Sequence, residues 1–587
     1  MGQNMVGSPE FLENLVVYEI AAKGFTSPEG PESGTFRSLE EKMEYLAELG
    51  ITGIWLTGHQ LCDPKHFYNI WTEYACIDPE ILDPSLGTEE TFRSMIRRAH
   101  EKGIRVFLDV ITHGVMSDSP LVQEHPDWFR GGSWGMTDYD WYGEHPDLDA
   151  WWVNLWVRYV TEFGIDGYRL DVAHYRNDLW VEIRRRCREA GHEILIMLET
   201  GPGITGVSDV LQGGLRLSDN HRRFPKSRLL WDMGGAMADV CARRTERYHY
   251  EIHYADGEVQ VSWEMPADAE HNGDGLQVCE EGTETLQREA YSEERKVVRL
   301  ENVRPEKTVA DVVIYDEQGW HWHSNRENTM TPDFYVEVER KESSMRVSFP
   351  YRQQAGQYVS IQLSCHDNGW VGSRTEEAGY AARGSRHFLG YGCLLAPGVP
   401  IFMAGEEFDA DYVPIPWHAA DLYGKEEPGK GKWLYGSWIQ WEQLEEQPKR
   451  EMLQDCRKML DIRKQFPHLI RPMKMECEKN PKVRALSYHS EKILPRPYLY
   501  LGERRAVLVA ANPETEEAAG LCISFSEALA GNLEKVRYEV LFGAAKAGVE
   551  SLCDLDAKMW KIGPDKHAEG GLLVILLEWG GTEDEFV

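Results

Sequence analysis

No two cysteines of this chain form a CxxC pair: the eleven stand singly between Cys62 and Cys553, and their number is odd. They read as reduced core thiols rather than a disulfide framework. Positive charge is also scarce. Against 97 Asp and Glu there are 63 Lys and Arg, a formal net charge of −34, which would repel nucleic acid and anionic membranes alike. Nowhere do about 18 apolar residues run together, the length a membrane helix needs, and no charged segment followed by a long apolar stretch opens the chain. The expectation is a cytoplasmic protein with no nucleic-acid and no membrane partner. Residues 1–11 read as a flexible start or a cloning remnant and carry no fold argument.

At 587 residues the chain exceeds one core and should hold two or three domains. From residue 16 to about 201, short apolar runs alternate with helical patterns. A strand at 16–20 is followed by a helix opened by Ser38 and Glu41 as a capping box, then a strand at 51–56. A helix from Thr88 would bury Phe92, Met95, Ile96 and Ala99 and end before the run at 105–109; helices at 151–163 and 179–189 follow. The rhythm resumes at 359, with a helix at 386–396 and a strand at 400–404. This gives close to eight βα units, the sixth unresolved within 205–245, and the economical reading is a (β/α)8 barrel.

Period-two patterns replace the βα rhythm between 248 and 350. Tyr248, Tyr250, Ile252 and Tyr254 alternate, Asp256 and Gly257 turn, and Val259, Val261 and Trp263 alternate back. A second pair at 334–338 and 345–349 looks alike. Short strands also return after 476. The expected organisation is a barrel in two parts, 12–247 and 351–475, with a small domain B at about 114–165, a β-rich insertion at 248–350 and a C-terminal antiparallel β-sandwich at 476–587.

Four apolar runs end on carboxylates: RVFLD at 105–109, DGYRLD at 166–171, ILIMLE at 194–199 and VSIQLSCHD at 359–367. Turns favour Asp after a strand, which would explain one such position but poorly explains four. A parallel barrel brings the carboxyl ends of its strands to one rim, so Asp109, Asp171, Glu199 and Asp367 would converge. Two carboxyl groups across a glycosidic bond suffice for hydrolysis with retention: one attacks carbon while the other gives and then takes a proton. Arg169, two residues before Asp171 and on the same strand face, could keep the attacking acid ionised. Glu199, ending an apolar run, is expected to be desolvated as a general acid requires.

At these residues the sequence resembles the α-amylase superfamily, glycoside hydrolase family 13. GYRLDVAHY at 167–175 is similar to the family's nucleophile motif, and the resemblance implies Asp171 as nucleophile with Arg169 as its arginine. LIMLE implies Glu199 as acid/base. CHDN at 365–368 implies Asp367 as transition-state stabiliser and His366 as a sugar-hydroxyl ligand. HPDLD at 145–149 resembles the motif that precedes the nucleophile strand, and PGVPIFMAGEE at 397–407 resembles the eighth strand. The third-strand motif departs from the pattern: Asp109 is followed by VITHG, so that either Thr112 and His113 or His113 and Gly114 replace the usual Asn-His. The Asn that commonly ligates the family's calcium is missing either way, and neither a metal nor a cofactor is expected.

Asp109 and His113 are candidate substrate ligands, as is Tyr68 in His66-Phe67-Tyr68, where the family often has a tyrosine that stacks on a sugar. The aromatic loop with Trp128, Phe129, Trp134, Trp141 and Tyr142 should supply sugar-stacking rings, core residues, or both. Histidines 321 and 323 lack a third ligand and read as surface residues, and KEEPGKGK at 425–432 lacks phosphate-loop spacing. The reading is a retaining α-glycoside hydrolase for α-linked oligosaccharides or glucans. A transglycosylase or isomerase would use the same acids, and a non-catalytic carbohydrate-binding protein is the rival from another class.

Overall fold

A computed structural model describes the chain outside residues 1–7, 31, 63–72, 133–134, 142, 173–174, 200–206, 217–245, 256–257, 265–277, 281–296, 302–310, 316–320, 324–328, 331–334, 341–343, 353–357, 363–385, 415–436, 473–482, 532 and 581–587. Eight parallel strands close into a barrel: β1 (Val17–Ala21), β2 (Gly53–Thr57), β3 (Arg105–Ile111), β4 (Gly167–Asp171), β5 (Leu195–Leu198), β6 (Val210–Arg216), β7 (Tyr358–Gln362) and β8 (Val399–Met403). Closure is made by β8 on β1, with Val17 opposite Ile401.

Period two sorts each strand between an outer and an inner face. Outward side chains such as Ile54, Val106, Leu108, Tyr168, Leu170 and Ile196 join the main core under the helices. Inward ones build a floor of Val17, Trp55, Phe107, Leu195, Met197, Val210, Tyr358, Val399 and Ile401, sealed from below by Leu12 and Leu15. Above it the inner face turns polar, with Glu19, Asp109, Arg169 and Gln362 at 1% exposure or less. Gly167 opens β4 at φ +149, where a Cβ would lie 1.9 Å from Leu195 O, so the contact with β5 admits no side chain.

The helices that matter to the site are α1 (Glu89–Glu101), α2 (Pro146–Arg158) and α3 (Asn177–Glu189). α1 starts at the expected cap, Thr88, and buries Phe92, Met95, Ile96 and Ala99. The helix expected from Ser38 begins earlier: Thr35 is its cap, and Ser38 completes the capping box by accepting from Thr35 N. α2 runs five residues ahead of its expected start and ends in a π-helical turn, Tyr159–Phe163. Residues His387–Leu394, expected as an ordinary helix, are also π-helical. Between β3 and β4 a short hairpin pairs Gly114–Met116 with Met136–Asp138.

Glu246–Ala255 pairs antiparallel with Glu258–Glu264, and Ser344–Arg352 with both Glu246–Ala255 and Tyr335–Arg340. These sheets interrupt the barrel between β6 and β7. After β8, a six-stranded and a three-stranded antiparallel sheet enclose a separate core around Leu508, Leu521, Phe525, Trp560 and Ile575. Tyr498, Val507, Val509, Leu572 and Val574 belong instead to the barrel's outer core, so one face of the larger sheet covers the barrel.

Candidate active site

The carboxyl ends of β3, β4 and β5 place three acids around one guanidinium. Arg169 Nη1 donates to Asp109 Oδ1 at 2.9 Å and to Asp171 Oδ1 at 2.6 Å, while Nη2 lies 3.0 Å from Glu199 Oε2. Arg169 sits on the inner face two residues before Asp171, and its guanidinium carbon is 4.8 Å from the centre of the Trp55 ring. Its side chain is 1% exposed, against 11% for Asp171 and 12% for Glu199. The latter two carboxylates therefore face the open side of the barrel and the cation lies behind them.

Asp109 is a buried strut. Its Oδ2 accepts from Trp55 Nε1 at 2.9 Å, Thr57 Oγ1 at 3.1 Å and Tyr74 OH at 2.7 Å. At 1% exposure it holds Arg169 from below. Trp55, Thr57 and Tyr74 were not singled out from the sequence, although period two from Gly53 places Trp55 and Thr57 inward. Tyr74 carries no comparable signal.

His113 is beside the nucleophile candidate, with Nε2 3.7 Å from Asp171 Oδ2 and Nδ1 3.5 Å from Asp138 Oδ1. Of the two alignments of the departed motif, it is Thr112 and His113 that reach β4. Thr112 Oγ1 donates to the Asp171 carbonyl, and Gly114 instead opens the hairpin.

Glu199 meets a polar environment where desolvation by an apolar run was expected. Besides Arg169, its Oε2 accepts from Val172 N at 2.7 Å. Val172 has φ +63, a left-handed conformation that costs a β-branched residue about 1–3 kcal/mol and that clusters at functional sites. The strain turns the N–H that follows Asp171 toward Glu199. Nothing in the sequence signals it.

Burial pushes Asp171 up to about 7; Arg169 opposes this, Glu199 and Asp109 add to it, and His113 opposes it. Asp171 therefore holds a proton to higher pH than an ordinary carboxyl.

The described aromatics of the loop lie in the core. Trp128, Phe129 and Trp141 are 9% exposed or less, and Trp141 Nε1 donates to Thr112 O. Trp134 and Tyr142 lie outside the described residues, as do Tyr68, His366 and Asp367. Thr112 Oγ1 donates to Asp171 O, and both oxygens of Asp149 accept from Arg176, at 2.6 and 2.7 Å. Among the described residues, no three His, Cys, Asp or Glu side chains gather as a metal cluster. Nor, among them, is any helix long and apolar enough to cross a membrane.

Residues 19–142 match the family model for the α-amylase catalytic domain. A cyclomaltodextrinase of Geobacillus thermopakistaniensis is 27% identical over 236 residues, covering 33% of this chain and 39% of that protein. An intracellular maltogenic amylase of Bacillus subtilis is 28% identical over 207 residues, covering 28% and 34%. The match thus spans about two fifths or less of these relatives' lengths. Among solved structures, the trehalose-6-phosphate hydrolase of Bacillus licheniformis aligns over 97% of this chain and 100% of its own, with TM-score 0.58 and 13% identity. A maltogenic α-amylase of Thermotoga neapolitana aligns over 97% and 100%, with TM-score 0.55 and 16% identity. Residues 19–142 are thus similar to the α-amylase catalytic domain, and the barrel, its β-rich interruption and its C-terminal sheets share the fold of these solved structures.

Proposed function

We propose that this chain is a retaining α-glycoside hydrolase acting on α-glucosidic oligosaccharides or α-glucans. The observation that carries the reading is the shared guanidinium: Asp171 and Glu199 both contact Arg169, at 2.6 and 3.0 Å, on the open side of the barrel. Retaining enzymes hold their two carboxyl groups roughly 5–5.5 Å apart, too close for an intervening water, and a shared cation supports such an approach. The named activities of the relatives, cyclomaltodextrinase and maltogenic amylase, lie in the same substrate class.

In this reading Asp171 attacks the anomeric carbon. Its new C–O bond forms as the glycosidic bond breaks, and Glu199 delivers a proton to the departing oxygen. Glu199 then takes a proton from water, whose oxygen displaces Asp171 and restores the α-anomer. Arg169 holds the attacking carboxylate, and His113 faces its other oxygen. Asp367, with His366, is proposed on its motif as the third acid, stabilising the oxocarbenium-like transition state, and Tyr68 as a stacking platform.

Deleting each acid separates the roles. Asp171→Ala should lower turnover by roughly 10³-fold or more on every substrate, since nothing else forms the intermediate. Glu199→Ala should retain activity on a fluoride or nitrophenyl glucoside, whose leaving group needs no proton, and azide should speed it and yield a glycosyl azide. Near-normal turnover of maltooligosaccharides by Asp171→Ala would refute the assignment.

A further inference from the structure

After β4 the chain is held at Asp171 and Val172 and again at Arg176. Thr112 Oγ1 holds the Asp171 carbonyl and Glu199 holds the Val172 N–H. Arg176 is the residue before α3. Its guanidinium donates from Nη1 to Asp149 Oδ1 at 2.6 Å and from Nη2 to Asp149 Oδ2 at 2.7 Å, a two-pronged fork onto the first turn of α2. Nε and Nη2 also reach the two oxygens of Asp178, at 2.9 and 2.8 Å, in the first turn of α3. Arg176 is 16% exposed, Asp149 28% and Asp178 43%. One planar cation thus joins the helix before β4, the loop after it and the helix that follows.

A left-handed valine persists only where its surroundings over-determine it. Glu199 and Thr112 hold one side of Val172; the other side has its anchor at Arg176. We propose that Arg176 is a positioning residue for Asp171 and Glu199, a guanidinium built into the chain that bridges the flanks of β4 as a bound divalent ion could. The donor set supports this: Asp149 has given both oxygens to the fork, and Thr112 has given its hydroxyl to the backbone. Lysine cannot replace such a fork, because a single ammonium does not offer two parallel donors to one carboxylate while holding a second. The inference rests on the hydrolase reading for its kinetic consequence but not for its structural one, so the test carries a readout that needs no turnover.

The parent chain, Arg176→Lys, Arg176→Ala and Asp178→Asn are compared by amide hydrogen exchange in the peptide spanning residues 171–178, by maltooligosaccharide kinetics and by melting. Both Arg176 variants should exchange that peptide about 10-fold faster or more, with distant barrel strands unchanged. Their kcat should fall by roughly 10²-fold, as for acids displaced by about an ångström, with KM within about threefold. Millimolar guanidinium should restore part of the Arg176→Ala loss. Asp178→Asn should stay near the parent, since Asp178 is itself 43% exposed and the Asp149 fork remains. Parent-like exchange and kcat in Arg176→Lys would overturn the proposal, as would a lowered melting temperature with kcat unchanged in the folded range. If the parent hydrolyses no α-glucoside, the hydrolase reading fails and exchange alone decides the positioning role.

Discussion

Asp171 illustrates how a single side chain can link reactivity to stability. Burial raises its proton affinity to about 7 from an ordinary 3.8, with Arg169 pulling the other way and Glu199 and Asp109 adding to the rise. In the nucleophile role proposed for it, Asp171 must be ionised to attack, so kcat/KM should fall on the acid side with an apparent midpoint near 7. Asp109→Asn removes one negative neighbour and leaves Arg169 to two carboxylates instead of three. Both changes favour the ionised nucleophile, and the acid limb should move down by about one unit. An upward shift would mean that Asp109 acts through geometry alone. The same value sets a stability slope. A carboxyl raised in the folded state contributes stability below its unfolded value and loses it as pH rises from 3.8 to about 7. Asp171→Asn should therefore raise the melting temperature at pH 8 relative to the parent and change it little at pH 4. Equal gains at both would assign the effect to packing.

Among the elements, those with contiguous chemistry were the readable ones. Gly167, Arg169 and Asp171 lie on one five-residue strand, and a period-two rule puts them on one face. β6 escaped because Gly213 and Gly214 interrupt it, and its register with β7 slips between Leu211 and Leu215, which erases an apolar period. The π-helical stretch His387–Leu394 was readable as a helix but not in its geometry, which depends on what grips it. Asp565, in the turn between the C-terminal strands Trp560–Ile562 and Leu572–Trp579, accepts from Arg386 N, His387 N and His387 Nδ1, and both His387 and Asp565 side chains are 0% exposed. These partners are 178 residues apart, beyond the reach of any local pattern. Asp565→Ala leaves three buried donors without their acceptor and should destabilise the protein by about 3 kcal/mol. Asp565→Asn, keeping one acceptor, should cost less. Denaturant midpoints would measure both, and a loss under about 0.5 kcal/mol for alanine would show that the grip is redundant.

At the scale of the molecule, closing the barrel assembles the site. Trp55 and Thr57 on β2, Asp109 on β3 and Arg169 on β4 are unremarkable residues until adjacent strands pair, when they become a buried chain of donors and acceptors ending at Asp171. That is why Asp109, Asp171 and Glu199 stand out at the ends of apolar runs while Trp55 and Thr57 do not. The surface that covers the barrel is equally part of it: Tyr498 OH and Tyr500 OH donate to the carbonyls of Tyr391 and Leu395. The junction is made of side-chain fit and hydrogen bonds among the chain's own residues. The same holds around β4, where the ties are Arg176 on Asp149 and Thr112 on Asp171, and the cation is covalently supplied. A ligand that binds the folded state stabilises it by mass action, and one with no site adds nothing. Melting temperature and maltooligosaccharide turnover should accordingly be unchanged after treatment with a calcium chelator and unchanged again on adding calcium. A fall of several degrees reversed by calcium would mean that a metal, and not Arg176, bridges the flanks of β4.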